Sequence, residues 1–277
     1  MPGRLVVCAT PIGNLGDVTM RVLEALRDAD AIAAEDTRIT QRLLARYRIA
    51  TPLERYDEHV AGVRTPRIVE RVLAGETIAL VSDAGTPGVS DPGARLVDAC
   101  IDAGAPVEVL PGPSAIITAL VASGLPTHAF YFGGFLPRKV GERRAAVDAV
   151  RALDATLVFY ESPRRAASSL TYLAGELSDR RGAMARELTK VHEEVVRGPL
   201  VDIARDVAAR AELKGEVVLL VGPPERGSNV VLDERSVRDR VATLRSEGMS
   251  ARDAVRRVSE ETGAPRNAIY RIAHARD

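Results

Sequence analysis

The stretch Thr77-Ile78-Ala79-Leu80-Val81-Ser82-Asp83-Ala84-Gly85-Thr86-Pro87-Gly88-Val89-Ser90-Asp91-Pro92-Gly93 decides the fold. Thr77 to Ser82 is a nearly unbroken apolar run, the pattern of a strand buried on both faces of a parallel sheet. Ser82 to Gly93 then packs three Gly and two Pro into twelve residues. An ordinary strand-to-helix connection is shorter and needs fewer special dihedrals. In open parallel sheets, ligands bind beyond the carboxyl ends of the strands. The segment therefore reads as a ligand cradle, with a bland loop as the alternative. Asp83 is placed to hold a ligand amine or hydroxyl, or else to make an Asx-type turn.

Outward from this stretch, strands and helices alternate. Arg4 to Ala9, Ala31 to Glu35 and Val107 to Leu110 read as strands. Helices are expected from Asp17, through Leu43 and Leu44, through Ile68 to Leu73, and after Pro92 and Ser114, with an irregular stretch around Pro52 to His59. This alternation implies a parallel, doubly wound α/β sheet. The register restarts near Leu125-Pro126-Thr127. A second α/β domain follows, with strands at Phe130 to Phe132, Thr156 to Tyr160, Ala183 to Arg186, Glu194 to Arg197 and Val217 to Val221. Beyond Gly222-Pro223-Pro224 only helical patterns remain, near 233–247, 250–262 and 265–276. Ser250 to Asp253 makes a capping-box-like start, and Pro265 suits a first helical position. The expected division is 1–124, 125–226 and a helix-turn-helix-like module at 227–277.

Composition narrows the class. The 277 residues carry 38 basic and 38 acidic side chains, 46% hydrophobic residues, two Cys and no Trp. Such a chain builds packed cores rather than disorder. The longest apolar runs, such as Ala115 to Ala122, fall well short of the roughly 20 residues a membrane helix needs. The start lacks the length and cleavage region of a signal peptide, so a cytoplasmic protein without a membrane partner is expected. Cys8 and Cys100 sit in apolar settings and read as small hydrophobes. His59, His128, His192 and His274 are scattered without paired ligand spacing, and no metal site is expected. Only Lys139, Lys190 and Lys214 are lysines, which leaves 35 Arg. Each of the three lies beside a turn signal. The tail from Gly227 holds ten Arg against eight acids. It reads either as a nucleic-acid-facing module or as a lid or dimerisation element.

Two further loops follow strands. Thr10-Pro11-Ile12-Gly13-Asn14-Leu15-Gly16-Asp17 lacks both the Rossmann glycine spacing and the Lys-Ser/Thr of a P-loop, which disfavours dinucleotides and triphosphates. It is either a close backbone approach to a ligand or a tight turn with Asp17 as N-cap. Pro111-Gly112-Pro113-Ser114-Ala115 presents backbone donors at a helix start, or simply a cap.

Taken in order, Thr10 to Asp17, Glu35-Asp36-Thr37-Arg38, Ser82 to Gly93, Pro111 to Ala115, Gly134 to Lys139, Phe159 to Arg165, Ala185 to Lys190 and Gly215-Glu216 resemble the tetrapyrrole methylase family. More narrowly, they resemble its ribosomal RNA branch. The family's usual G-x-G-P-G-D first loop is replaced by Thr10 to Gly13 with Asn14-Leu15 inserted, and its G-G-D-P-type second loop by Ala84 to Pro87. Both departures count against a porphyrinoid substrate. The resemblance implies a homodimeric, S-adenosyl-L-methionine-dependent enzyme that methylates the ribose 2′-hydroxyl of a cytidine in 16S ribosomal RNA, on the 30S subunit. By motif position it implies cofactor contacts at Pro11, Asp83, Ala84, Gly85, Thr86, Val89, Ser114, Ala115, Tyr160 and Gly215.

Methyl transfer to a hydroxyl needs a proton acceptor. Glu35, Asp36 and Glu187 stand at or just after strand ends. Lys190 qualifies if burial or nearby cations lower its pKa. Alternatively, Glu35 and Asp36 cap the next helix or pair with Arg38, and Glu187 pairs with Arg186. Arg38, Arg42, Arg138, Lys139, Arg164 and Arg165 cluster in the same loops and are expected to meet RNA phosphates, with solvated surface charge as the alternative. Tyr160 either stacks on a base or adenine or is a buried strand-end residue. Two other activities remain open: C-methylation of a tetrapyrrole precursor, and metabolite sensing by a non-catalytic nucleic-acid-binding protein.

Overall fold

The computed structural model describes residues 3–224, 234–262, 264 and 266–274. Short apolar runs and one-sided apolar stripes alternate from the start. Strands β1 (Arg4–Cys8), β2 (Ala31–Ala34), β3 (Leu53–Arg55), β4 (Thr77–Val81) and β5 (Val107–Leu110) alternate with helices α1 (Met20–Asp28), α2 (Thr37–Tyr47), α3 (Glu58–Leu73), α4 (Gly93–Asp102) and α5 (Ala115–Ser123). The sheet is parallel throughout, in the order β3-β2-β4-β1-β5. Strand alternation divides its core into two. Val6, Cys8, Ile32 and Val81 face Leu26 of α1 and Leu44 of α2. Leu5, Val7, Ile78 and Leu80 face Ile68 of α3 and Leu96 of α4. This is the doubly wound arrangement expected from the sequence.

Two local expectations are corrected. The segment Pro52 to His59 is not wholly irregular, because β3 adds to the sheet edge beside β2. Three residues are too few to show an alternating pattern. The first helix does not start at Asp17: Leu15–Asp17 forms a short 3-10 turn, and the Thr19 hydroxyl caps α1 by accepting from the Val22 N–H at 3.2 Å.

The second sheet joins β6 (Phe130–Phe135), β7 (Thr156–Glu161), β8 (Arg181–Arg186), β9 (Glu194–Pro199) and β10 (Val217–Val221) in the order β6-β7-β10-β8-β9. Only β6 and β7 run parallel; the other neighbours are antiparallel. Helices α6 (Val140–Val150), α7 (Pro163–Glu176) and α8 (Leu200–Ala208) cover one face, where Val147, Leu170, Leu173 and Ile203 meet Leu157, Phe159 and Leu219. The other face is covered from the first sheet's side. Ile116, Ala119 and Leu120 of α5, with Ile12, pack on Val158, Ala185, Val218 and Leu220. One face of the uncharged α5 is buried in this way, while Ile117 and Val121 remain exposed. Both sheets belong to one compact unit that ends at Pro223.

The remaining residues form a separate unit of α9 (Glu234–Ser246), α10 (Ala251–Thr262) and α11 (Arg266–His274). Its core contains Val237, Val241, Leu244, Ala254, Val258 and Ile269. The Ser250 hydroxyl accepts from the Asp253 N–H at 3.2 Å and donates to the Asp253 carboxylate at 2.6 Å, as the capping pattern suggested. The expected boundary at Gly227, the helix start at Asp233, the Pro265 position and the last turn to Arg276 lie outside the described residues. Among the described residues, no helix is long and apolar enough to cross a membrane. Nor do any three His, Cys, Asp or Glu side chains gather in a geometry that could hold a metal.

Candidate active site

Parallel β1, β4 and β5 end side by side, so the loops that follow them meet. Thr10 and Gly85 exchange backbone hydrogen bonds of 2.8 and 3.0 Å, and the Thr10 hydroxyl donates to the Ser82 carbonyl at 3.0 Å. Gly85 takes φ +78°, which a side chain rarely adopts. A Cβ at Gly112 would stand 2.9 Å from the Ala9 Cβ, so the third loop lies directly against the first.

These loops form one wall of a cleft of about 390 Å³. Ala84, Gly85, Thr86, Val89, Ser114 and Ala115 line it from the first sheet, and Tyr160 and Gly215 from the second. Eight of the ten expected cofactor contacts therefore share one chamber. Pro11 and Asp83 line an adjoining chamber of about 500 Å³ together with Thr10, Ile39, Arg42 and Lys190. Ile12, Ala84 and Glu216 line both. Gly215 has φ +88°, and a Cβ there would run into the Glu187 carboxylate. Tyr160 is partly buried against Phe132 and Phe135, at ring-centroid distances of 4.9 and 5.6 Å, and it also lines the first chamber.

The expected acid–base residues are heavily engaged. Glu35 accepts from the Asp83 N–H at 3.3 Å. Burial raises its pKa, opposed by that hydrogen bond and reinforced by the nearby charges of Asp83, Asp91 and Asp57. Asp36 caps α2 through the Arg38 N–H at 2.8 Å and pairs with the Arg38 guanidinium at 2.6 Å, which brings its pKa to about 2. Asp83 accepts from the Asp36 N–H at 2.9 Å, and burial raises its pKa. Glu187 sits at φ +53° and takes both the Lys190 ammonium, at 2.8 Å, and the Glu216 N–H, at 3.1 Å, on one oxygen. The Lys190 hydrogen bond lowers its pKa. Arg186, suggested as its partner, turns instead to Glu194 at 3.1 Å. Lys190 also meets Glu216 at 3.1 Å. Burial pulls the Lys190 pKa down, but the two carboxylates outweigh it, and the net shift is upward. The lowered pKa that would suit Lys190 to accept a proton is not found.

Among the expected phosphate contacts, Arg38, Arg42, Arg138, Lys139 and Arg164 are exposed. Arg38 pairs with Asp36, and Lys139 pairs with Glu142 at 2.9 Å. Arg165 departs from the expectation. Its guanidinium donates to the Leu136 carbonyl at 2.7 Å and pairs at 3.2 Å with Glu161, whose side chain is fully buried. Glu161 also accepts from the Ser169 hydroxyl at 2.6 Å. The sequence reading missed Ile12, Phe135, Glu161 and Glu216 as cleft residues. Glu161 and Glu216 sit beside residues it did select, and that proximity was the available signal.

A family model for tetrapyrrole (corrin/porphyrin) methylases matches residues 4–204. The chain belongs to the tetrapyrrole methylase family. An RsmI C-terminal HTH domain model matches residues 235–277. The ribosomal RNA small subunit methyltransferase I of Mesorhizobium japonicum is 47% identical over 96% of this chain and 90% of its own length. The protein of the same name from Bacillus subtilis is 38% identical over 98% of this chain and 94% of its own. These relatives place the chain in their branch of the tetrapyrrole methylases. Solved structures share the fold. Diphthine synthase matches with TM-score 0.63 and 15% identity, over 79% of this chain and 89% of that one. A uroporphyrin-III C-methyltransferase from Thermus thermophilus, solved with S-adenosyl homocysteine, matches with TM-score 0.56 and 19% identity, over 79% and 97%.

Proposed function

We propose that this tetrapyrrole methylase is an S-adenosylmethionine-dependent methyltransferase of 16S ribosomal RNA that modifies the ribose 2′-hydroxyl of a cytidine on the 30S subunit. It works as a homodimer in the cytoplasm. The observation that carries the reading is the cleft of small residues between the two sheets, in a chain 47% identical to a ribosomal RNA methyltransferase. Positive φ at Gly85 and Gly215 and the short side chains of Ala84 and Ala115 leave backbone within reach of a ligand, while Tyr160 and Phe135 offer aromatic surface. That lining fits the cofactor, and Ala84 to Thr86, Ser114, Ala115 and Gly215 would hold it.

When bound, S-adenosylmethionine supplies a methyl group made electrophilic by its sulfonium. The protein aligns the acceptor oxygen with that group, and such alignment contributes roughly 7–11 kcal/mol in the best intramolecular cases. Exposed Arg38, Arg42, Arg138 and Arg164 neutralise phosphates around the target nucleotide. The test is transfer of labelled methyl from S-adenosylmethionine to unmethylated 30S particles, naked 16S RNA and uroporphyrinogen in parallel. Label on a cytidine ribose in the particle supports the proposal. Label on the tetrapyrrole supports a precursor methyltransferase, and no label anywhere supports a sensor.

A further inference from the structure

We propose that the adjoining chamber receives the ribose and that Glu216 is the catalytic base that takes its hydroxyl proton during methyl transfer; the inference rests on the proposed reading of the cleft as the donor site. Among the described residues that line these chambers, Glu216 is the one ionisable side chain common to both. An attacking oxygen must come within about 3–3.5 Å of the carbon it attacks, so the hydroxyl lies at the shared wall. Its base must stand within about 2.6–3.2 Å of it, at the same wall.

The geometry there is prepared. The Glu216 N–H is fixed on Glu187, and one carboxylate oxygen rests on the Lys190 ammonium at 3.1 Å. The side chain is otherwise open, at 68% exposure. The Lys190 stem is wedged against the first-sheet loop, since a Cβ on Gly13 would approach its Cγ to 2.6 Å. Lys190 thus holds Glu216 at the joint between the chambers. Glu35, Asp36 and Glu187 line neither chamber. Glu161 faces the donor chamber but is closed off by Arg165 and Ser169.

In the step, the ribose oxygen bonds to the methyl carbon as the carbon–sulfur bond breaks, its electron pair staying on sulfur. The O–H proton passes to the free oxygen of Glu216. The sulfonium charge and the carboxylate charge disappear together, and Lys190 remains a cation. Solvent then removes the proton through the open side of Glu216.

The test uses full-length Glu216→Gln beside the parent. Calorimetry with S-adenosyl homocysteine and binding to 30S particles are measured with single-turnover methylation, and the product position is mapped. The expected result is a methylation rate lower by about 10²–10⁴-fold with both affinities within about threefold of the parent. A rate within about threefold of the parent overturns the proposal, as does a loss of S-adenosyl homocysteine affinity beyond about tenfold, which would make Glu216 a donor contact. A parent protein that leaves no methyl on ribose refutes the underlying reading instead. Because Glu216 is exposed, thermal melting of the variant should match the parent.

Discussion

Arg165 shows how one side chain changes meaning between sequence and fold. Beside Arg164 in a loop-facing run it reads as a phosphate contact, yet its guanidinium neutralises a fully buried Glu161 and ties α7 to the carbonyl of Leu136. Breaking a buried pair from one side costs about 3–5 kcal/mol, and the partial exposure of Arg165 argues for the lower end. Arg165→Ala should therefore lower unfolding stability in urea by about 3 kcal/mol. It should leave the salt dependence of RNA binding unchanged, whereas Arg164→Ala should reduce that slope by about one. Glu35 provides a pH test. Its folded pKa lies above the ordinary 4.5, so the folded state binds its proton more tightly. Its stabilising contribution is present below pH 4.5 and is lost as pH rises through the raised folded value. The stability of the parent relative to Glu35→Gln should fall as pH rises above 4.5, and a difference independent of pH would contradict this assignment. Both cases have the same lesson. Residue type and loop position were readable in the sequence, and Glu161 stands only four residues before Arg165, but the contacts with the Leu136 carbonyl and the Asp83 N–H were not, because those groups lie far along the chain.

At the scale of elements, α5 joins the molecule. It follows β5 of the first sheet, yet it packs on the second, with Leu120 buried among Ala183, Val218 and Leu220. Its apolar sequence was readable, but not which sheet its buried face meets. Leu120→Ala should cost about 2–5 kcal/mol in urea unfolding and should also weaken S-adenosyl homocysteine binding, because Ser114 and Ala115 enter the cleft from the same helix start. Full retention of binding would mean that the cleft does not depend on this helix. Elements with apolar periodicity over four or more residues were legible in advance. β3 was not, since its pairing with β2 is set by tertiary contact at a sheet edge rather than by pattern.

At the scale of the whole molecule, the loops converge only because β1, β4 and β5 lie next to one another, a neighbourhood that strand order creates. In the sequence the Gly- and Pro-rich loops read as a cradle, with a bland loop as the alternative. It did not divide the cradle into two chambers or place Glu216 between them. The tail is a separate unit with its own core. A chain ending at residue 226 should bind S-adenosyl homocysteine as the parent does and bind 30S particles at least about tenfold more weakly, consistent with lost phosphate contacts. Lost dimerisation with intact particle binding would make the tail an assembly element instead.

The claim on which the rest depends is that the cleft between the sheets receives the methyl donor. Calorimetric titration of the folded parent and of Gly215→Ala with S-adenosyl homocysteine tests it directly. The parent should give saturable heat with one ligand per chain. The alanine variant should bind at least about tenfold more weakly, because its Cβ must displace Glu187 and its φ of +88° is strained. No saturable heat from the parent, or equal affinity in the variant, would contradict the account.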